Sequence, residues 1–193
     1  MGYKWLRRHL QVSGVLSIAR RWFITNAFDG NLSILGLILG TRAVGAMDST
    51  FIVGAGLGIC GALAISQSTG NIVAERAERV RELKQLQRAM LRPMEDTIHG
   101  SSARTAPLVA GLLGGAAPAA YTALSLIPFI LQSGGYIDLS VAVYLSIVTI
   151  LASVFVLGVL LGRIAKSSMI IAGMKMVGIG GITALALFFF GTL

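Results

Sequence analysis

The sequence has few charged residues and a single cysteine. Of its 193 residues only 12% are charged, against about 25% in soluble domains, while 55% are hydrophobic. The mean hydropathy is +0.80. This composition excludes an ordinary soluble domain. Because Cys60 has no second cysteine in the chain, an internal disulfide framework and any metal site that needs two thiolates are excluded as well.

Acidic residues are also scarce, with 8 Asp and Glu against 16 Lys and Arg, so the net charge is +8. A basic balance can indicate nucleic-acid binding, but here the cations lie in blocks between hydrophobic runs. We therefore expect the lipid bilayer, and no nucleic acid, as the partner. The His-Glu-x-x-His, Gly-x-Ser-x-Gly and Gly-x-x-x-x-Gly-Lys motifs are missing, so we do not expect an enzyme.

Five hydrophobic runs are long enough to cross a bilayer as helices, which takes about 20 residues each. The sequence therefore predicts an all-α integral membrane protein with five transmembrane helices and a short cytoplasmic helical segment between helices two and three. The predicted spans are 22–44, 50–73, 105–132, 139–162 and 168–193. The predicted organisation is a cytoplasmic amphipathic N-terminal segment at 1–21 and a five-helix membrane domain at 22–193, with a charged helical segment at 75–104 inside it.

The basic residues alternate between the two sides of the predicted membrane. Five Lys and Arg precede span one, one follows it, seven lie at 76–104, none at 133–138, and two precede span five. By the positive-inside rule, the N-terminus and the 75–104 segment are cytoplasmic and the C-terminus lies outside. In a prokaryote this would be a multi-pass protein of the cell membrane.

Two charged residues lie well away from the ends of predicted spans, where each is costly unless it is paired, hydrated or bound. Asp29 lies roughly 12 Å and Lys175 roughly 10 Å below the cytoplasmic boundary, at about 1.5 Å per helical residue. One hypothesis is that they form an ion pair and that an incoming cation or proton competes with Lys175 for Asp29. The alternative is that Lys175 extends its stem to the interface.

Span two ends in a run of neutral polar residues that includes Gln67, Thr69 and Asn71. Hard divalent cations bind carboxylate, amide and hydroxyl oxygens, so these residues and Asp29 form a candidate cation path near the inner mouth. Such side chains also bridge packed membrane helices, and that alternative stays open.

The 75–104 segment carries the second group of candidate metal ligands. Glu75, Glu78 and Glu82 lie on one helical face, and a helical hairpin would bring them towards three further residues. The complete candidate metal set is Asp29, Glu75, Glu78, Glu82, Glu95, Asp96 and His99. The alternative is that the glutamates form ordinary ion pairs with arginines three or four residues away.

The run ITNAFDGNLSILGLILG at 24–40, followed by a glycine-rich second span and a cytoplasmic helix with glutamates, resembles the vacuolar iron transporter family. The resemblance implies a dimeric, proton-coupled carrier of Fe²⁺ and similar divalent ions. It implies that Asp29 is the pore aspartate of span one and that Glu75, Glu78 and Glu82 belong to the cytoplasmic glutamate set. Where that family has a Gly-Glu pair at the end of span two, this chain has Gly70 and Asn71.

The resulting expectation is a homodimeric transporter of Fe²⁺, and of Mn²⁺ as a further ion, in which Asp29 is central and Asn71 is a neutral co-ligand. The divalent ion is the substrate, and no permanently bound cofactor is expected. Two alternatives stay open at this stage. One is a non-transporting membrane module whose cytoplasmic helix binds a partner protein. The other is a carrier for a non-metal substrate.

Overall fold

The computed structural model describes residues 15–94 and 97–191, and these residues form five α-helices and no strand. Each helix is long and apolar enough to cross a bilayer. In chain order they are α1 (Val15–Ala43), α2 (Ser49–Met90), α3 (Ile98–Ser133), α4 (Leu139–Ile164) and α5 (Met169–Gly191). The predicted all-α fold with five membrane-spanning helices is confirmed.

The charged segment between spans two and three is not a helix of its own. α2 continues without interruption to Met90, and α3 begins at Ile98, so most of 75–104 extends these two helices. The reason lies in the sequence, because residues 75–92 contain no glycine or proline and are mostly Glu, Arg, Lys, Gln, Leu and Ala, which favour helix. At about 1.5 Å per residue α2 is roughly 63 Å long, about twice the thickness of the hydrocarbon core.

The predicted N-terminal segment at 1–21 is only partly described. Residues 15–21 are the first turns of α1. Residues 1–14 lie outside the described part of the chain.

Local backbone chemistry determines where several helices begin and end. α1 and α3 are followed by Gly45 and Gly135 in the left-handed region, with φ of +69° and +79°. In both places the next residue donates its N–H to a carbonyl five residues back in the helix, at 3.0 and 3.1 Å, which is a glycine-based helix C-cap. At the start of α2 the Asp48 carboxylate accepts a 2.9 Å hydrogen bond from the N–H of Phe51, as an N-cap residue does.

The chain divides into two compact units, and α1, α2 and α3 each contribute to both. The first unit contains Ala64–Ala116 and the chain up to Phe23. Within it α2 and α3 pack antiparallel, with almost no space between their backbones. A Cβ atom added to Gly111 would collide with Ile72, and one added to Gly115 would collide with Ser68. These two glycines therefore allow the close packing of α2 against α3 in this helical hairpin.

The second unit contains Ile24–Leu63 and Ala117–Leu193 and holds the hydrophobic core. Its largest fully buried side chains come from α1, α2, α3 and α4: Ile34, Ile38, Ile52, Leu126, Phe129, Val143, Ile150 and Val154. Many apolar side chains point outward instead, and Ile170 and Ile182 of α5 are 69% and 70% exposed. In water such a surface would aggregate, whereas in a bilayer it is the surface that contacts lipid.

Glycine also brings α4 and α5 together. A Cβ on Gly158 would lie 2.7 Å from the Cα of Gly173 and 2.8 Å from the carbonyl oxygen of Ala172. One turn later, a Cβ on Gly162 would lie 2.8 Å from the Cβ of Ala172. Small residues at four-residue spacing are a common way for membrane helices to reach van der Waals contact between backbones.

We expect Gly158→Ala to destabilise the protein by about 1–3 kcal/mol, because the added methyl group forces α4 and α5 apart. The matched control is Gly178→Ala in α5, where an added Cβ meets nothing within 4 Å. Both variants gain the same helix propensity, so the difference between their thermal unfolding midpoints in detergent reports packing alone. Equal midpoints would contradict the close contact at Gly158.

Candidate functional site

Asp29 lies near the middle of α1, partly exposed at the surface of the single chain. The neighbouring Ser33 hydroxyl donates a 2.8 Å hydrogen bond to the backbone oxygen of Asp29, and so does not bind the carboxylate. Within the described residues the Asp29 carboxylate makes no ion pair. The side chains of Asn26 and Asn31, on either side of it, are buried. Asp29 is therefore a carboxylate at membrane depth that the described chain does not neutralise.

A layer of buried polar side chains crosses the second unit close to Asp29. The Ser125 hydroxyl in α3 lies 3.0 Å from the backbone oxygen of Tyr121 in its own helix and 3.4 Å from the Oδ1 of Asn31, and the Ser146 hydroxyl in α4 donates a 2.9 Å hydrogen bond to the backbone oxygen of Ser125. All three residues are 0% exposed. The layer therefore connects α1, α3 and α4 by hydrogen bonds in the interior of the unit.

Gly30 allows α1 to approach α3 at this level. A Cβ at position 30 would lie 3.0 Å from the backbone of Pro118 and from the Thr122 hydroxyl. In the described part of the chain, the buried Thr122 hydroxyl and the Nδ2 of Asn31 have no hydrogen-bond partner. Sequence reasoning missed Thr122, Ser125 and Ser146, although the three-residue spacing of the first two placed them on one face of α3.

Lys175 lies on the face of α5 that is exposed in the single chain, away from the α4 contact at Gly173. It forms no ion pair with Asp29 or with any other described carboxylate. The hypothesised resting-state ion pair is therefore not formed in the described chain. An exposed lysine about 9 Å from the start of its helix is placed to extend its stem towards the nearby interface.

The neutral residues of the candidate path belong to the first unit, in the middle of α2. Asn71 is only 4% exposed, and its Nδ2 has no hydrogen-bond partner among the described residues. Gln67 is partly exposed and Thr69 is exposed. Of the three, Asn71 is thus the one whose amide is buried without full hydrogen bonding.

Arg79 binds two of the predicted glutamate ligands. Its Nε donates to Glu75 at 2.8 Å, and its Nη1 donates to Glu82 at 3.2 Å. The Glu75 side chain is 9% exposed and that of Glu82 is 54% exposed, so the first pair is the more shielded from solvent. Glu78 is exposed. The structure thus brings Glu75 and Glu82 together through an arginine.

Among residues 15–94 and 97–191, no three His, Cys, Asp or Glu side chains lie close enough to hold a metal ion. Of the other predicted ligands, Glu95 and Asp96 lie outside the described residues. His99 belongs to the first turn of α3, and its side chain is not among those described. The metal site predicted in the 75–104 segment, formed by Glu75, Glu78, Glu82, Glu95, Asp96 and His99, therefore stays a prediction.

Comparison with known proteins gives two matches. The model of the VIT family matches residues 74–192. An uncharacterized protein of Methanocaldococcus jannaschii is 34% identical over 160 residues, which cover 81% of this chain and 80% of that protein. The family match begins after the 24–40 motif, so it is evidence from a different part of the chain.

We expect Ser146→Ala to lower the free energy of unfolding by about 0.5–1.5 kcal/mol, because it removes a buried hydrogen bond between two membrane helices. The control is Thr149→Val, one turn along α4, whose hydroxyl donates at 2.8 Å only to Leu145 of its own helix. Denaturant unfolding in detergent measures both variants. A Ser146→Ala variant no less stable than Thr149→Val would contradict a stabilising role for the polar layer.

Proposed function

Because the chain belongs to the VIT family, whose members transport divalent metal ions across membranes, we propose that it carries Fe²⁺, and Mn²⁺ as a further substrate, in exchange for protons. The observation that supports this most directly is the carboxylate of Asp29 in the middle of a membrane helix, without an ion-pair partner in the described chain. An unneutralised carboxylate at this depth needs a cation or a proton.

Asp29 has the chemistry that such an exchange requires. Hard and borderline divalent ions bind carboxylate oxygens, and a carboxylate that has lost its metal in a medium of low dielectric constant is favourably protonated. Metal and proton then compete for the same oxygens. This competition couples metal movement to proton movement without any further group.

We propose that the working form is a homodimer with the path at or near its two-fold axis. A carboxylate on the outer surface of a single chain would contact lipid, which is costly, whereas a second copy would cover it. α2 also has an open face suited to close contact, because Cβ atoms added to Gly54, Gly58 or Gly61 would meet nothing within 4 Å. Small residues of this kind let two helices approach closely.

We propose Gln67, Thr69 and Asn71 as neutral oxygen ligands along the part of the path that belongs to the first unit. The buried amide of Asn71 supports this assignment, since its Nδ2 is unsatisfied in the described chain. A neutral amide also binds a divalent ion less tightly than a carboxylate does, which favours release of the ion.

The alternating basic residues support a cytoplasmic N-terminus and an outside C-terminus.

We propose that Glu75, Glu78 and Glu82 collect metal ions at the cytoplasmic mouth, together with Glu95, Asp96 and His99. Carboxylate and imidazole are suitable ligands for Fe²⁺ and Mn²⁺. The ion pairs of Arg79 with Glu75 and Glu82 are the arrangement that the alternative expected, so a metal ion collected there must displace Arg79 from them, whereas Glu78 is exposed and lies outside this bridge.

We expect Asp29→Asn to reduce Fe²⁺ and Mn²⁺ flux into proteoliposomes by about tenfold or more under an imposed pH gradient, because an amide neither carries the charge nor exchanges a proton. Wild-type flux should require the gradient. Lack of flux for either ion with folded wild-type protein would overturn the metal-carrier assignment.

The matched control is Lys175→Met, which removes the second ionisable side chain at membrane depth. Since Lys175 is exposed and unpaired with Asp29, we expect this variant to transport like the wild type. A large change in its flux would instead support the competition between Lys175 and the metal.

Light scattering on the same protein samples in detergent, before they are reconstituted, gives the oligomeric state, and a 20.2 kDa monomer that is active after reconstitution would contradict the dimer.

We expect Glu78→Gln to raise the metal concentration for half-maximal flux by about three- to tenfold and to leave the maximal flux nearly unchanged, because a collecting carboxylate acts on capture. Asp138→Asn, an exposed carboxylate just before α4, is the control with the same charge change. If both variants behave alike, the effect is one of net charge and not of the glutamate set.

A further inference from the structure

A groove of about 430 Å³ opens between α2 and α3 in the first unit. Its size is within the roughly 300–1,000 Å³ typical of sites that bind small organic molecules. On the α3 side the groove is lined by the small residues Gly100 and Ala103, which fill little of its volume. Arg76 of α2 and Arg104 of α3 line it from the two helices. The groove is therefore formed by one hairpin, whose helices Gly111 and Gly115 hold together.

The two arginines lie at the level where both helices change from uncharged to charged. In α2, residues 49–74 carry no charge, and Arg76 follows two positions later. In α3, Arg104 is the last charged residue before the uncharged run 105–133. Because the helices run antiparallel, both guanidinium groups belong to the same edge of the hydrocarbon layer, the level occupied by phospholipid headgroups.

The groove is positively charged and also apolar. No carboxylate is among its described lining residues, and neither Arg76 nor Arg104 makes an ion pair within the described chain. This contrasts with Arg79 on the same helix, which is neutralised by two glutamates. On the membrane side of the arginines the walls are Ile72, Pro107 and Leu108, the last of them 51% exposed.

We propose that this groove binds a phospholipid with an anionic headgroup from the leaflet at the charged ends of α2 and α3. Arg76 and Arg104 hold the phosphate, since guanidinium groups bind phosphate oxygens through paired hydrogen bonds. One acyl chain lies along Ile72 and Leu108. Basic pockets between membrane helices bind lipid headgroups in this way. Inorganic phosphate would occupy the arginines alone and leave the apolar wall uncovered, so the site fits a lipid better than a free anion.

The test is a titration of the delipidated full-length protein in detergent with phosphatidylglycerol, with bound lipid counted by native mass spectrometry. We expect the wild type to prefer phosphatidylglycerol to phosphatidylcholine of the same acyl chains. Arg76→Gln and Arg104→Gln should each weaken phosphatidylglycerol binding about fivefold, and the double variant about 25-fold, from the usual contribution of one basic residue near a lipid surface.

Arg88→Gln is the matched control, because Arg88 is an exposed arginine of α2 outside the groove lining. It should change phosphatidylglycerol binding by less than about twofold. A loss with Arg88→Gln as large as with Arg76→Gln would overturn the site, and so would equal binding of the two lipids. Arg76→Lys keeps the charge but loses the paired hydrogen bonds, so it should bind phosphatidylglycerol more tightly than Arg76→Gln and less tightly than the wild type, which separates loss of charge from misfolding.

Two further measurements distinguish a lipid headgroup from free inorganic phosphate as the ligand of the arginines. Millimolar inorganic phosphate should not displace phosphatidylglycerol, and Leu108→Gln should weaken lipid binding without altering the thermal midpoint. Displacement by phosphate, together with full lipid binding in Leu108→Gln, would show an anion site that does not recognise lipid and would overturn the proposal.

Discussion

The hydrocarbon core of a bilayer offers no hydrogen-bond partner, and the rest of this structure depends on that constraint. Every backbone polar group within it must be satisfied by the protein, so the chain crosses as helices. Side-chain hydroxyls follow the same rule. Thr41, Thr149 and Thr183 donate to carbonyls of their own helices, three or four residues back. The Ser125 hydroxyl also lies 3.0 Å from the carbonyl of Tyr121 in its own helix, whereas the Ser146 hydroxyl donates to the backbone oxygen of Ser125 in a neighbouring helix, beside the buried Asn31.

The carboxylate of Asp29 differs from these hydroxyl groups, because it has no hydrogen-bond or ion-pair partner assigned among the described residues. The nearby hydroxyls and amides are committed to backbone or to one another, or are buried, and the described chain places no cation beside it. A carboxylate in that position is stable only with a ligand, a proton or a second protein surface, and the proposed exchange of a divalent ion for a proton would provide the first two. The physical cost of burying this charge is thus the reason to regard it as functional.

Glycine determines how closely the helices approach, and it does so in two ways. Gly30, Gly111 and Gly158 lie where an added methyl group would meet a neighbouring helix, so they are required by contacts inside the chain. Gly54 and Gly58 lie on an open face where nothing is near. Glycines of the second kind make no close contact with a neighbouring helix of the single chain, and the proposed dimer is drawn in part from them.

The hairpin of α2 and α3 beyond the uncharged runs carries both signs of charge, and the two signs are used differently. Arg79 pairs with Glu75 and Glu82, whereas Arg76 and Arg104, beside an apolar groove, make no ion pair with any carboxylate that the structure describes. The same few turns of helix therefore contain both the carboxylates of the proposed metal collector and the guanidinium groups of the proposed lipid site. Pairing inside the hairpin decides which arginines remain available.

The sequence alone determined the five spans and the all-helical class, because hydropathy is a local property that does not depend on neighbours. The run at 24–40 indicated the family, and an isolated charge singled out Asp29, whose role stays a prediction. The extension of α2 to Met90 was also readable from the lack of glycine and proline in residues 75–92, although the prediction treated the charged segment as separate. The ion pairs of Arg79 with Glu75 and Glu82 join residues three and four positions apart on α2, a spacing that the sequence already showed. Only the tertiary structure decided that Ser125 lies beside Asn31, that Ser146 donates a hydrogen bond to Ser125, and that Arg76 and Arg104 share a groove. Each of these depends on which faces of two helices meet, and residue spacing along one helix carries no information about the rotation of the next.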